Sequence, residues 1–152
     1  MRKLVATLIV FCLIATGCGL KTVIQPRIAL EELSFEVAPG ANDDTAFALE
    51  LVAVSDDALL GKLQDLTAAQ WFDPQASWRR DYPQTIQSWH YELTPGSKLQ
   101  LPQPLPFARR PGRALLLFAN YKVPGAHRVR LESFKKARVI FGASGIGIDV
   151  IH

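Results

Sequence analysis

The chain has few of the residues that build metal sites and covalent catalytic centres. It contains two cysteines and three histidines among 152 residues. The histidines, His90, His127 and His152, stand singly on separate predicted elements, without an acidic or cysteine ligand at metal spacing. No serine has the context of a nucleophile elbow, and GASGIG at 142–147 has no following helix to hold a phosphate. We therefore predict a protein that is not an enzyme and that uses no metal or other cofactor.

The chain also lacks a hydrophobic run long enough to span a membrane comfortably. The apolar run LVATLIVFCLIA after Arg2 and Lys3 has about a dozen residues, whereas a spanning helix needs about 20. A basic start, a short apolar run and small residues before a cysteine follow the order of a signal peptide. A buried N-terminal helix would instead need a polar face and a cap. We predict a signal peptide over residues 1–17.

The end of this run, IATGC at 14–18, resembles a bacterial lipobox, where diacylglycerol is attached to a cysteine thiol before the signal is removed. By this resemblance Cys18 becomes the first residue of the mature chain, and Cys12 leaves with the signal. Gly19 occupies the place where an aspartate usually retains a lipoprotein in the inner membrane. The resemblance therefore implies an anchor on the periplasmic face of the outer membrane.

Charges of the two signs are unevenly divided along the chain. Residues 18–93 carry 5 basic and 12 acidic side chains, whereas residues 94–152 carry 10 and 2. The asymmetry indicates either a basic patch for nucleic acid or anionic lipid, or two halves of one fold that pair with each other. In one small domain we predict the pairing, and a periplasmic location gives little reason to expect nucleic acid.

Short strands dominate the rest of the chain, which we divide into a lipidated tether over 18–30 and a single domain over 31–152. Apolar and polar residues alternate in several runs, and turn residues recur about every ten positions. We predict a mainly β two-sheet sandwich, with a barrel as the second choice. The predicted strands are 33–37, an inner strand at 47–54, a hairpin over 86–101 around TPGSK, a central strand at 113–122, HRVRLESF, and one or two strands in ARVIFGASGIGIDVI.

One segment changes to helical period. Leucines recur at 59, 60, 63 and 66, and Ser55 followed by two aspartates is typical of an N-cap and first turn. We predict a single inserted helix over about 56–71.

The next segment, WFDPQASWRRDYP at 71–83, combines aromatic and arginine side chains. Such side chains anchor protein interfaces, and they also pin a long loop over a small core. We favour the pinned loop and keep the interface as the alternative. The residues concerned are Trp71, Trp78, Arg79, Arg80 and Tyr82.

Three stretches resemble TssJ, the outer-membrane lipoprotein family of the type VI secretion system: ELVAVSDDALL at 50–60, LTPGSKLQLP at 93–102 and LLLFANY at 115–121. The resemblance implies a lipobox followed by a transthyretin-like β-sandwich with a helical insertion. It also implies that the sandwich binds the periplasmic part of an inner-membrane partner, TssM, partly through the loop between the first two strands. That loop is APGANDD at 38–44, where we expect Asn42, Asp43 and Asp44 to be exposed.

Two other functions stay open from the sequence. A pilotin of similar fold would escort a secretin to the outer membrane. A periplasmic ligand-binding or hydrolytic protein would need Trp71, Trp78 and Trp89 exposed on one face as a platform for sugar stacking.

Overall fold

The computed structural model describes residues 26–73 and 75–151, which form eight strands and three short helices. The mainly β prediction is confirmed. In chain order the elements are β1 Glu32–Val37, β2 Phe47–Val54, α1 Asp57–Leu63, α2 Ala68–Phe72, α3 Gln75–Asp81, β3 Ile86–Leu93, β4 Lys98–Gln100, β5 Ala114–Ala119, β6 Arg128–Arg130, β7 Lys136–Phe141 and β8 Ile146–Val150.

The strands form two four-stranded sheets, as the predicted sandwich requires. The first sheet has the order β4-β1-β7-β8 and the second sheet the order β3-β2-β5-β6. Strands β1 and β7 run parallel, and every other pair in the two sheets is antiparallel. The predicted inner strand and central strand, β2 and β5, lie side by side in the middle of the second sheet.

The main core lies between the two sheets. Leu33, Phe35 and Val37 of β1 are buried in it, while the residues between them lie on the outer face of the first sheet. From the second sheet, alternate residues such as Leu49 and Leu117 fill the same core. Side chains on a strand alternate between its two faces, so one buried face produces the period of two seen in the sequence.

A second core covers the other face of the second sheet. Val52 of β2 and Phe118 of β5 point away from the first sheet and pack against helical residues that include Leu59, Leu63 and Trp71. All six residues of β5 are therefore buried, because both of its faces are covered. The chain thus has three layers, with the second sheet in the middle.

The prediction of one helix over 56–71 is wrong in its continuity. Asp56 caps α1 by accepting from the Leu59 N–H at 2.7 Å, as expected of an aspartate before a helix. Helix α1 ends at Leu63, and Thr67 opens α2 with a capping box to Gln70. A capping box provides partners for the free N–H groups at a helix start, so it begins a new helix here. The predicted loop over 71–83 also contains a helix, α3.

The predicted hairpin over 86–101 is also wrong, because its two strands belong to different sheets. Strand β3 pairs with β2, whereas β4 pairs with β1. The turn itself forms as expected, with the Ser97 N–H donating to the Thr94 carbonyl and Gly96 at φ +76°. It carries the chain from one sheet to the other.

The folded domain begins earlier than residue 31. Ile28 and Leu30 are buried in the main core, and the Ile28 N–H donates to the Arg110 carbonyl at 3.1 Å. Residues 26–30 therefore belong to the domain and not to a tether. The predicted signal peptide, Cys18 and Gly19 lie outside the described residues.

The predicted pairing of the two charged halves is confirmed. Most ion pairs join an acidic residue of the first half to a basic residue of the second, as in Lys136–Glu32 at 2.8 Å. The Lys98 ammonium, 2.9 Å from the Glu36 carboxylate, lowers the pKa of that carboxyl below its usual value. No helix in the described part of the chain is long and apolar enough to cross a membrane.

Candidate functional site

The two ends of the sandwich differ in which parts of the chain they carry. At one end the chain enters the domain. There the Gly112 N–H donates to the Pro26 carbonyl, and the Glu31 N–H donates to the Lys135 carbonyl. Strand β1 runs away from this end for six residues, about 20 Å. At the far end lie the turn 94–97 between β3 and β4 and three other connections, 38–46 after β1, 120–127 after β5 and 142–145 after β7. We call these three connections the loop surface.

Asn42 joins the three connections of the loop surface. Its N–H donates to the Ala143 carbonyl, and its Oδ1 accepts from the Lys122 N–H at 2.6 Å. Its Nδ2 donates to the Thr45 carbonyl at 3.0 Å. The side chain is therefore buried, with 1% of the residue exposed. The expectation that Asn42 is exposed is wrong, because its amide bonds to the backbone inside the loop.

The backbone of this loop has an unusual conformation. Asn42, Asp43 and Asp44 have φ values of 51°, 56° and 52°, all in the left-handed region. That region costs roughly 1–2 kcal/mol for each residue with a Cβ, and asparagine and aspartate adopt it most readily. The two hydrogen bonds of the Asn42 side chain offset part of this cost and hold the loop in this shape.

The two aspartates point outward, as predicted. The Asp43 side chain is 84% exposed and lies 3.8 Å from the Lys122 ammonium, which also donates to the Thr45 hydroxyl at 2.7 Å. A shallow depression beside them is lined by Val123, Pro124 and Ala143, among other residues. The loop surface therefore presents carboxylates and a cation beside small apolar groups.

A buried tyrosine supports the loop surface from below. The Tyr121 hydroxyl donates to the Gly142 carbonyl at 3.0 Å, and its ring stacks on His127 with centroids 4.6 Å apart. Burial raises the pKa of Tyr121 to about 12. His127 Nε2 lies 2.7 Å from the Val123 carbonyl. These contacts tie the β5–β6 connection to the β7–β8 turn.

The aromatic segment packs over the second core. Trp71 is fully buried and stacks on Phe118, with ring centroids 5.0 Å apart and planes 8° from parallel. Its Nε1 donates to the buried Glu50 carboxylate at 3.4 Å, and Arg79 lies 3.8 Å from the other oxygen. Trp78 packs half-buried against the second core. The interpretation of a segment pinned over a core is therefore confirmed, although it is helical.

The other residues of the segment follow the same arrangement. Tyr82 stacks on Trp78 with centroids 6.0 Å apart, while Arg80 is exposed. The sugar-stacking platform is contradicted, because Trp71 is enclosed and Trp89 packs against the main core on the other face of the second sheet. Among residues 26–73 and 75–151, no three histidine, cysteine or acidic residues are grouped to hold a metal ion.

The sequence did not single out Lys122, Val123 or Pro124 as partners of the 38–44 loop. The turn residues VPG mark the connection that contains them, but only the fold brings that connection to Asn42. The run of asparagine and two aspartates was a signal for the left-handed turn.

Neither a family model nor a curated protein matches the sequence. Solved structures do match its fold. The type VI secretion lipoprotein TssJ1 from Pseudomonas aeruginosa aligns over 84% of this chain and 98% of its own, with TM-score 0.63 and 18% identity. Lip from Serratia marcescens, a membrane-bound component of the type VI secretion system, aligns over 80% and 96%, with TM-score 0.59 and 16% identity.

The chain has the TssJ fold. The predicted resemblance is thus confirmed at the level of the fold. A chain in the structure of the TssM C-terminal domain from EAEC also aligns, over 80% of this chain and 98% of its own, with TM-score 0.58 and 12% identity. The solved structures named above are described as components of type VI secretion, and the likeness of this chain to them is one of fold.

Proposed function

We propose that this protein is a lipid-anchored, non-catalytic subunit of a type VI secretion membrane complex. The observation that supports this most is the alignment of 84% of the chain with nearly all of a type VI secretion lipoprotein. The lipobox-like IATGC before the folded domain agrees with it. In this proposal Cys18 carries the lipid, and Gly19 directs the protein to the periplasmic face of the outer membrane.

The position of the loop surface supports a role in binding a partner away from the anchor. The chain enters at one end of the sandwich, and the loop surface lies at the other end of β1. A domain anchored through residues before Pro26 can therefore present Asp43 and Asp44 toward the periplasm. We propose that they contact the periplasmic part of a TssM-like inner-membrane protein.

The fixed shape of the loop supports the same proposal. A binding loop that is already ordered loses less conformational entropy when its partner docks. Strained backbone that persists only through surrounding contacts is typical of functional sites. Here the Asn42 amide holds the three left-handed residues, and the side chains of both aspartates stay exposed to a partner.

Binding of the mature domain to the periplasmic part of its TssM-like partner tests the proposal. Asp44→Lys should weaken binding about tenfold, as loss of a moderate contact at an interface does. Asp65→Lys is the matched control, because Asp65 is also an exposed aspartate but lies in the turn after α1. Equal affinities for the two variants would exclude the loop surface. Absence of binding by the unaltered domain would exclude the partner.

The anchor is tested separately in cells. Cys18→Ser should move the protein from the membrane fraction to the soluble periplasmic fraction and remove the mass of the lipid. The Asp44→Lys variant should stay in the membrane fraction. If the Cys18→Ser protein stays with the membrane at unchanged mass, the lipid anchor is wrong. A secretin that leaves the outer membrane when the gene is deleted would instead indicate a pilotin.

A further inference from the structure

The end of the sandwich where the chain enters carries a group of basic side chains. Arg27 forms a β-bridge with Pro111, and its Nη1 donates to the Arg109 carbonyl at 3.5 Å. Arg110 is the next residue in the chain, and its backbone carbonyl accepts from the Ile28 N–H. Lys135 lies on the connection before β7, and its carbonyl accepts from Glu31. We call Arg27, Arg109, Arg110 and Lys135 the entry patch.

Most of the charge of the entry patch is not neutralised. Arg109 lies 3.7 Å from the Glu31 carboxylate, but its side chain is 80% exposed. Arg110 donates to the neutral amide oxygen of Gln87 at 2.6 Å. Within residues 26–73 and 75–151, no carboxylate lies within ion-pair distance of Arg27, Arg110 or Lys135. By contrast Lys136, next in the chain, pairs with Glu32.

The sequence between Cys18 and Pro26 carries charge of the same sign. Residues 19–25, GLKTVIQ, contain one lysine and no acidic residue. Seven residues separate Cys18 from Pro26, and the eight Cα–Cα steps between them span at most about 28 Å when the chain is extended. A lipid on Cys18 therefore holds the entry patch close to the bilayer surface.

We propose that the entry patch binds the anionic phospholipid head groups of the membrane in which the protein is anchored. This rests on the proposed lipidation of Cys18 and extends it, since an acyl chain fixes only the end of the chain. Arginine guanidinium groups match phosphate oxygens in bidentate geometry. The patch therefore orients the domain with the loop surface away from the membrane.

The charges at the far end favour the same orientation. Asp43 and Asp44 are exposed on the loop surface, and an anionic bilayer repels them. A membrane is a better occupant than nucleic acid, because the patch surrounds the point from which the proposed anchor departs. Each basic residue at an anionic bilayer contributes favourable binding free energy. This contribution falls off with distance from the surface over about one Debye length, about 8 Å at physiological salt. The patch therefore acts only in contact with the surface.

Vesicle co-sedimentation of the mature chain carrying Cys18→Ser tests the proposal without the lipid. The unaltered patch should bind vesicles of phosphatidylethanolamine and phosphatidylglycerol, and not vesicles of phosphatidylcholine alone. Removing three charges with Arg27→Gln, Arg109→Gln and Arg110→Gln should weaken binding roughly 100-fold, about fivefold for each charge. A matched triple variant, Lys62→Gln, Arg80→Gln and Lys98→Gln, removes as many charges elsewhere and should keep most of the binding.

Hydrogen exchange with the same anionic vesicles locates the contact. Amides in residues 27–29, 108–110 and 112–113 should become protected, while those of the loop surface stay unchanged. Equal binding by the two triple variants, equal binding to phosphatidylcholine, no binding at low salt, or tighter binding to a duplex oligonucleotide would each overturn the proposal. The arginine variant should still bind the TssM-like partner, so failure here is distinguishable from failure of the proposed function.

Discussion

The two sheets of this sandwich bury different numbers of faces. In the first sheet, β1 is buried only at every second residue, and Glu32 and Glu36 stand on its outer face. In the second sheet, all six residues of β5 are buried. The difference comes from the helices over 57–81, which cover the outer face of the second sheet only. Alternating and continuous apolar strands in one small domain thus indicate one and two covered faces.

Covering the second sheet also encloses a charge. Glu50 is fully buried on the outer face of β2, where its carboxylate accepts from Trp71 and lies 3.8 Å from Arg79. On the first sheet the corresponding face carries exposed ion pairs such as Lys136–Glu32. Substitutions on the two outer faces should therefore differ in both apolar and electrostatic contributions to stability.

The largest difference is expected for apolar residues on the two outer faces. Phe118→Ala removes a fully buried ring that stacks on Trp71, and we expect a loss of about 3–5 kcal/mol in the free energy of unfolding. Ile140→Ala, on the outer face of the first sheet and 37% exposed, should cost about 1 kcal/mol or less. Denaturant unfolding of the two variants measures both values.

Similar losses for the two variants would mean that the helices do not stabilise the second sheet. A second variant makes that result interpretable. Trp71→Ala removes the helical side of the same contact and should cost a comparable amount to Phe118→Ala. The cost of the double variant should be less than the sum, because the residues share one contact.

An intermediate difference is expected for the charges. Arg79→Ala leaves the buried Glu50 carboxylate without its cation, and we expect a cost of about 1–2 kcal/mol, since the arginine is half-exposed. In a Glu50→Gln background the same change should cost about 0.5 kcal/mol or less. The Lys136–Glu32 pair is shorter, at 2.8 Å against 3.8 Å, but exposed, so its coupling energy should be smaller.

Double-mutant cycles on the two pairs decide the point. A stronger coupling for Lys136 and Glu32 would show that distance outweighs burial here. Coupling near zero for both would mean that Arg79 does not compensate the Glu50 charge, and that the hydrogen bond from Trp71 is its main partner.

The strands and their faces could be predicted from the sequence because they depend on local period. The alternation in 33–37 and the apolar run in 113–122 placed β1 and β5 correctly. The pairing of β4 could not be predicted, because the turn at 94–97 looks the same whether its strands share a sheet or not. The break between α1 and α2 was visible in Thr67 and Gln70 but was outweighed by the leucine period.

The candidate site was predictable only in part. The sequence indicated the loop at 38–44 and its two exposed aspartates, but not the burial of Asn42. That burial depends on the Lys122 backbone, 80 residues further along the chain. Likewise, the sequence alone could not decide whether Trp71 anchors an interface or is buried in a core, since its burial depends on stacking against Phe118 of β5.

The smallest expected effect is a pH-dependent contribution to stability from an ion pair on the exposed face of the first sheet. The Lys98 ammonium lowers the pKa of the Glu36 carboxyl in the folded chain, so folding favours the ionised carboxylate. The resulting stability is present above the unfolded pKa of about 4.3 and is lost as pH falls through the folded value. Lys98→Ala should therefore lower the unfolding temperature slightly at pH 7.

The difference in unfolding temperature between Lys98→Ala and the unaltered protein should disappear as the pH falls below 4, because the Glu36 carboxyl is then protonated in both proteins. Arg80→Ala, which removes an exposed cation from α3, is the matched control and should show no such closing gap. Thermal unfolding of each variant from pH 7 to pH 3 measures this difference in unfolding temperature. A gap that persists at pH 3 would mean that Lys98 stabilises β4 by packing its aliphatic stem on Glu36 and Gln100, and not by its charge.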